Sequence, residues 1–265
     1  VRLEGLTRQY EKVRRAYAST VIEKMDNADY SEYTEILFTA HSCAMEKNSF
    51  SVNDTRELKE KGLSAKIFNH TLLEALEIYN HLNAYAFAMS NLQQSFSESL
   101  IKKIHYLLTE DTIYHKTGTQ PGQFTETDLA AGKTVFGDHK LNLQQLPAVL
   151  QETQYFLENK SIHPVSLAAV FHKEFIYLHP FRDGNGRLAR LLSNIILAKC
   201  GHPQIIITSD KKQSYITALK TSENLKTTAP IEKYFFEAAI ERMNNEMQQK
   251  SRNQNFAFGQ LKTHK

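Results

Sequence analysis

This sequence is poor in the residues that staple, span or punctuate a chain. Only two cysteines occur in 265 residues, Cys43 and Cys200, each within an expected helix, so a disulfide framework is excluded. No apolar run is long enough to span a membrane, and the N-terminal stretch, which does not begin with Met, has no signal-type hydrophobic segment. Neither H-E-x-x-H nor C-x-x-C is present. His163, His172 and His179 stand nine and seven residues apart, spacings that make no helical zinc pair. Charge of one sign is also scarce: 32 lysines and arginines against 29 acids leave +3, too little to argue for nucleic acid. There are no internal repeats and no low-complexity tract. What remains points to a soluble cytoplasmic enzyme, with neither nucleic acid nor membrane as an expected partner. With 41% hydrophobic residues the chain can bury one large core or two small ones, and six prolines with recurrent apolar periodicity predict an all-α, mainly helical fold.

The densest chemistry lies between His179 and Arg190, in His179-Pro180-Phe181-Arg182-Asp183-Gly184-Asn185-Gly186-Arg187-Leu188-Ala189-Arg190. Before it, Leu167, Ala168, Val170, Phe171, Phe175, Ile176 and Leu178 recur at helical spacing, and Pro180 ends that helix at His179. After it, Leu188, Leu191, Leu192, Ile195, Ile196 and Leu197 predict a second apolar helix stopping at Gly201. The Phe181–Asn185 loop therefore feeds into a helix N-terminus, where free N–H groups and a partial positive charge attract anions. Gly184 and Gly186 let an anion approach the backbone closely. Arg187 and Arg190, at i and i+3, add two guanidinium groups on one face, which suits two or three phosphates. Asp183 is placed to hold Mg²⁺ bridging phosphate oxygens, and Asn185 to donate an amide N–H to one of them. His179, with an ordinary pKa near ~6.5, is the group suited to act as general base.

The stretch resembles the Fic motif, with every defining position of H-x-F-x-[D/E]-G-N-G-R-x-x-R present. Leu73–Asn80 is similar to the family's preceding helix and Tyr215-Ile216-Thr217-Ala218-Leu219 to its Y-x-x-A-L element, so the likeness runs roughly from Tyr30 to Asn224. The resemblance implies a Fic-type helical bundle with a small β-hairpin flap. It also implies protein adenylylation, in which AMP moves from ATP to a hydroxyl of a target protein and pyrophosphate leaves, with Mg²⁺ or Mn²⁺ as cofactor. By the same resemblance His179 is the base, Asp183 binds the metal and Asn185 orients the α-phosphate. Arg187 and Arg190 hold the β and γ phosphates, the Gly184–Gly186 backbone forms an anion hole, and Phe181 anchors the loop. Tyr215 and Leu219 wall the adenine, with Lys211 and Lys212 at its border. Removal of AMP, transfer of another phosphate-linked group, and an idle nucleotide-binding or interaction module stay open as alternatives. The intact Gly184-Asn185-Gly186 favours ordinary nucleotide orientation.

A second element sharpens the expectation. Ser31–Lys47 reads as a helix with an apolar stripe of Tyr33, Ile36, Leu37, Ala40 and Ala44, leaving Ser42 and Glu46 off the stripe. Ser42–Asn48 resembles the family's inhibitory motif, in which the glutamate pairs with the second motif arginine, here Arg190, and displaces the γ-phosphate. Lys47 departs from the Gly or Asn usual at its position. Residues 117–137, rich in Gly, Pro and Thr and ending in the β-prone Thr134–Gly137, resemble the flap on which a target docks, although Thr125 stands in place of the usual arginine. The expected organisation is residues 1–50 as N-terminal helices including the inhibitory one, 51–247 as the Fic-type domain closing with a helix at Ile231–Met247, and 248–265 as a basic tail holding Lys250, Arg252, Lys262 and Lys265. His172 is expected to be a hydrogen-bonded core residue. A homo-oligomer is left open.

Overall fold

Helices start in this chain where a short polar side chain meets the free amides of a first turn. Asp26, Ser97 and Asp138 accept from N2 or N3 amides to open α2 (Asn27–Ala44), α5 (Glu98–Thr109) and α7 (His139–Asn159). Ser51 and Thr71 form complete capping boxes, with Asp54 and Glu74, at the starts of α3 (Val52–Lys61) and α4 (Leu72–Ser90). His163 caps α8 (Pro164–Leu178), whose proline sits at the first turn, where its missing N–H costs nothing. The remaining helices are α1 (Leu3–Thr20), α6 (Ile113–Thr117), α9 (Asn185–Lys199), α10 (Lys212–Asn224) and α11 (Ala229–Arg252). The computed structural model describes residues 3–65, 69–132 and 134–252.

The fold is all-α with one small hairpin, as the sequence predicts. Two two-residue strands, β1 (Ala130–Ala131) and β2 (Thr134–Val135), pair antiparallel with Ala130 opposite Val135 and Ala131 opposite Thr134. The apolar α9 is buried on every side from Arg187 to Leu197 and forms the axis of the molecule, packed on α8, α5, α4 and α2. Around it one large core gathers side chains from both chain ends: Leu6, Tyr10 and Tyr17 of α1 share it with Ile231, Phe235 and Phe236 of α11. A smaller cluster of Cys43, Phe50, Leu58, Ala75, Ile78 and Leu82 seals α2 to α3 and α4. Both thiols are free. Among the described residues no helix is long and apolar enough to cross a membrane.

Two boundaries and one helix face differ from the sequence reading. The inhibitory helix begins at Asn27, four residues before Ser31, because Asp26 caps it. Burial extends beyond the expected apolar stripe: Thr34, Phe38, Thr39, Ser42 and Cys43 are all buried. The closing helix runs on to Arg252, so the first residues of the expected basic tail are helical, and Lys250 Nζ donates to the Val21 carbonyl at 3.3 Å. Lys262 and Lys265 lie outside the described residues.

Candidate active site

The loop between α8 and α9 is braced from within and below. His179 ends α8 in a left-handed conformation (φ 46°, ψ 55°), its N–H returning to the Phe175 carbonyl. Phe181 is fully buried, as expected of the loop's anchor, and stacks on His105 of α5 with ring centroids 3.7 Å apart. His105 accepts the Gly122 N–H at Nδ1, so its proton sits on Nε2, which donates to the Asp183 carbonyl at 3.0 Å. Burial pushes its pKa down to about 4, which keeps that tautomer neutral. His105 thus positions the loop. Its signal in the sequence was a histidine among Ile101, Ile104 and Leu108, which read simply as helix.

Asn185 is engaged within the loop. Its amide Nδ2 donates to the Phe181 carbonyl at 2.6 Å and its Oδ1 accepts the Phe181 N–H at 3.0 Å, so the side chain closes the loop on itself. The two glycines also separate. Gly184 (φ 81°) is the left-handed N-cap of α9, and a Cβ there would lie 3.1 Å from Thr109 Cγ2: it is required for the turn and for packing, not for an anion's approach. Gly186 faces Glu46 instead. A Cβ there would lie 2.5 Å from Glu46 Oε1, so the bare glycine is what the Glu46 carboxylate rests against.

His179 is oriented for proton transfer. A carbonyl only accepts, so the 3.0 Å contact to Ile176 O fixes the proton on Nδ1 and leaves Nε2 with a free lone pair. Phe136, just after β2, stacks on the imidazole at 3.6 Å and 11°. Burial lowers the His179 pKa from its ordinary value, more than the Ile176 carbonyl, Asp183 and Glu46 raise it. The flap is tied to the same loop: Thr125, buried where an arginine was expected, donates its N–H to Pro180 O at 2.8 Å, and Arg182 reaches Thr127 Oγ1 at 3.0 Å.

The two motif arginines are in opposite states. Arg190 is engaged: Nε donates to Ser42 Oγ at 3.1 Å, and Nη2 donates to Ser42 O at 2.8 Å and to Glu46 Oε1 at 2.9 Å. Arg187 is 1% exposed, yet its Nε and Nη1 have no hydrogen-bond partner, and its carboxylate neighbours stand off, Asp183 Oδ2 at 3.6 Å and Glu77 Oε1 at 3.7 Å. Burial works against its charge, but the field of its neighbours, Asp183 foremost, raises its pKa. A buried donor without an acceptor costs about 1–3 kcal/mol, so these two N–H groups mark a place that an acceptor would stabilise.

Glu46 sits near the N-terminus of α9, opposite Gly186. Burial pushes its pKa up, but Arg190, then Arg187 and Lys212, more than offset this and hold it below the usual carboxylate value. Its side chain nonetheless keeps 42% of its exposure, so it lines an accessible surface while crowded by cations. The geometry of the helix end explains the glutamate's position. Asn48 N–H returns to Cys43 O and Lys47 N–H to Ala44 O, a Schellman motif with Lys47 in the left-handed region (φ 75°). The turn is kept, with lysine in a conformation that favours glycine or asparagine. Lys212 reaches the Met45 carbonyl and so bears on this turn rather than on an open site.

Asp183 fits a small divalent cation. Its Oδ1 accepts the Gly184 N–H at 2.7 Å, its side chain is 36% exposed, and burial is outweighed by Arg187, Gly184 and Lys116, which keep it ionised. One carboxylate completed by phosphate and water oxygens is the donor set Mg²⁺ prefers. The residues expected to wall the adenine lie in the core. Tyr215 and Leu219 are buried, and the Tyr215 hydroxyl meets His172 Nε2 at 2.7 Å; His172 is the hydrogen-bonded core residue expected, with its pKa pushed down to about 3. Helix α10 instead borders a cavity of ≈740 Å³ through Lys220, Glu223 and Asn224, facing Thr134 and Phe136 of the flap. Lys211 pairs with Glu241 at 3.2 Å and lines a separate cavity of ≈510 Å³ on the other side of α2. A Glu11–His163–His202 cluster lies elsewhere; His163 Nδ1 accepts the Val165 N–H, so Nε2 carries the proton and faces Glu11 as a donor rather than a metal ligand.

Comparisons with known proteins bear on the family and the fold. Residues 95–197 match the Fic/DOC family. The chain is 28% identical over 68% of its length to a protein adenylyltransferase Fic of Drosophila grimshawi, and 26% identical over 89% to protein adenylyltransferase fic-1 of Caenorhabditis briggsae. It spans only 36% and 45% of those two proteins. In fold it is similar to a Fic domain containing signaling protein from Bacteroides thetaiotaomicron, with TM-score 0.76, 19% identity and coverage of 94% and 96% of the two chains. A Fic-1 fragment from C. elegans follows at TM-score 0.71 and 22% identity, covering 91% and 70%.

Proposed function

Since the chain belongs to the Fic/DOC family, we propose that it transfers AMP from ATP to a hydroxyl side chain of a target protein, itself included, and is held back by Glu46. One observation carries the reading: the buried Arg187 guanidinium with two unmet donors, one helical turn from Asp183. The names of the curated relatives support it.

In this reading His179 Nε2 takes the proton of the target hydroxyl. The hydroxyl oxygen bonds to the α-phosphorus, the bridging α–β P–O bond breaks, and pyrophosphate departs. Arg187 holds the phosphates with its Nε and Nη1, and the α9 N-terminus adds its partial positive charge. Asn185 acts by keeping the loop closed. A divalent ion on Asp183, Mg²⁺ or Mn²⁺, offsets phosphate charge when bound. Phe136 fixes the imidazole plane, so the flap that meets the target also aligns the base. The base of the nucleotide is assigned to the α10–flap cavity, past Tyr215 and Leu219.

Glu46 is an internal anion. With its carboxylate on Arg190 and against Gly186, a terminal phosphate has to displace it before Arg190 is free. Residues 1–50 thus supply the restraint and 51–247 the chemistry. Incubation with ATP labelled at the α or the γ phosphate tests the reading. Label retained from α and lost from γ is expected, and disappears in His179→Ala. Retention from γ means phosphate transfer and overturns the proposal.

A further inference from the structure

Outside the motif, two charged residues complete a closed ring with it. Glu77, buried on α4, takes Lys116 of α6 on Oε1 and faces Arg187 Nη1 with the same oxygen at 3.7 Å. Asp183 Oδ2 in turn faces Lys116 Nζ at 3.8 Å and Arg187 Nη2 at 3.6 Å. Carboxylate and cation alternate all the way round. The other Glu77 oxygen accepts from Asn48 Nδ2 at 3.0 Å, two residues after Glu46.

We propose that Lys116 is a third phosphate-binding cation of the nucleotide site, beside Arg187 and Arg190, and that Glu77 is the residue that positions it. This inference rests on the ATP-dependent reading above. An ammonium has three donors; the hydrogen bond to Glu77 uses one of them, and the side chain keeps 29% of its exposure, so it remains available to a ligand. It brackets the same Asp183 oxygen as Arg187, whose two free donors mark where an oxyanion is accepted. A lysine that served only to neutralise Glu77 would be redundant, since the Arg187 charge already lies beside that carboxylate. Through Asn48 the same carboxylate also holds the turn that aims Glu46, so Glu77 joins the phosphate subsite to its restraint.

Calorimetric titration of the full chain carrying Glu46→Gly, with ATP and separately with adenosine, tests this. Adding Lys116→Met is expected to weaken ATP about tenfold and leave adenosine unchanged, and Lys116→Arg to restore most of the loss. The double variant Glu77→Gln/Lys116→Met, which leaves no unpaired buried carboxylate, is expected to show the same ATP deficit. Unchanged ATP affinity in the double variant, or equal weakening of adenosine, overturns the proposal. Failure of the Glu46→Gly parent to bind ATP at all would instead overturn the function proposed above.

Discussion

At the scale of single residues, the account turns on which N–H groups and lone pairs are already spent. His179 has committed Nδ1 to a carbonyl, so only Nε2 can accept a proton, and burial lowers its pKa. A base with a lowered pKa stays neutral further into acid. The acid limb of kcat/KM, measured on Glu46→Gly, is therefore expected below the ordinary histidine value of ~6.5. His179→Ala is expected to cost on the order of 10²–10⁴-fold in transfer while ATP affinity holds, because the imidazole is not a phosphate ligand. Glu46→Gly releases Arg190 and is expected to raise self-labelling by at least about tenfold, the scale of one charge-assisted hydrogen bond. Equal labelling of variant and parent would remove the restraint. Roles at this scale were only half legible in the sequence. Residue types at motif positions singled out His179, Asp183 and Arg187 as candidates, but the loop-closing bonds of Asn185 and the packing of Gly184 were not legible, since a sequence does not show which hydrogen bonds are made locally.

At the scale of elements, helix ends do most of the positioning. The Schellman turn after α2 sets Glu46 as the last residue before the chain reverses, and Lys47 bears the left-handed geometry. Lys47→Gly removes the Cβ strain at that position and is expected to raise stability by up to about 1 kcal/mol in urea denaturation. A decrease would mean that the lysine side chain holds the turn. The apolar period foretold α8 and α9, and their ends closely, because Pro180 and Gly201 punctuate them. It missed the start of α2, where a lone Asp26 does the capping, and the buried Glu77 inside an apolar helix, whose partners come from distant segments. The hairpin was legible only as a turn-rich stretch, for two residues per strand carry almost no alternation.

At the scale of the whole molecule, three imidazoles among the described residues are buried neutral: His81 and His172 have pKa values pushed down to about 3, and His105 to about 4. Unfolded imidazoles titrate near ~6.5, so between that value and about 4 the unfolded chain binds protons that the native state refuses. Their contribution is complete above ~6.5 and is lost as the pH falls. Chemical denaturation at pH 5.0 is expected to show lower stability than at 7.5, by at most about 2 kcal/mol per buried histidine. Equal stability at the two values would show that these rings are protonated in the fold. His105 braces the loop itself, whereas His81 meets Thr39 of α2 and His172 meets Ser193 of α9 and Tyr215 of α10, so the loss in acid is spread over the core.

The most direct measurement is a crystal structure of the Glu46→Gly variant with a non-hydrolysable ATP analogue. Phosphate oxygens within hydrogen-bond distance of Arg187 Nε and Nη1, with the α-phosphate facing His179 Nε2, are the predicted result. An analogue bound elsewhere, with those two donors still unmet, would contradict the account.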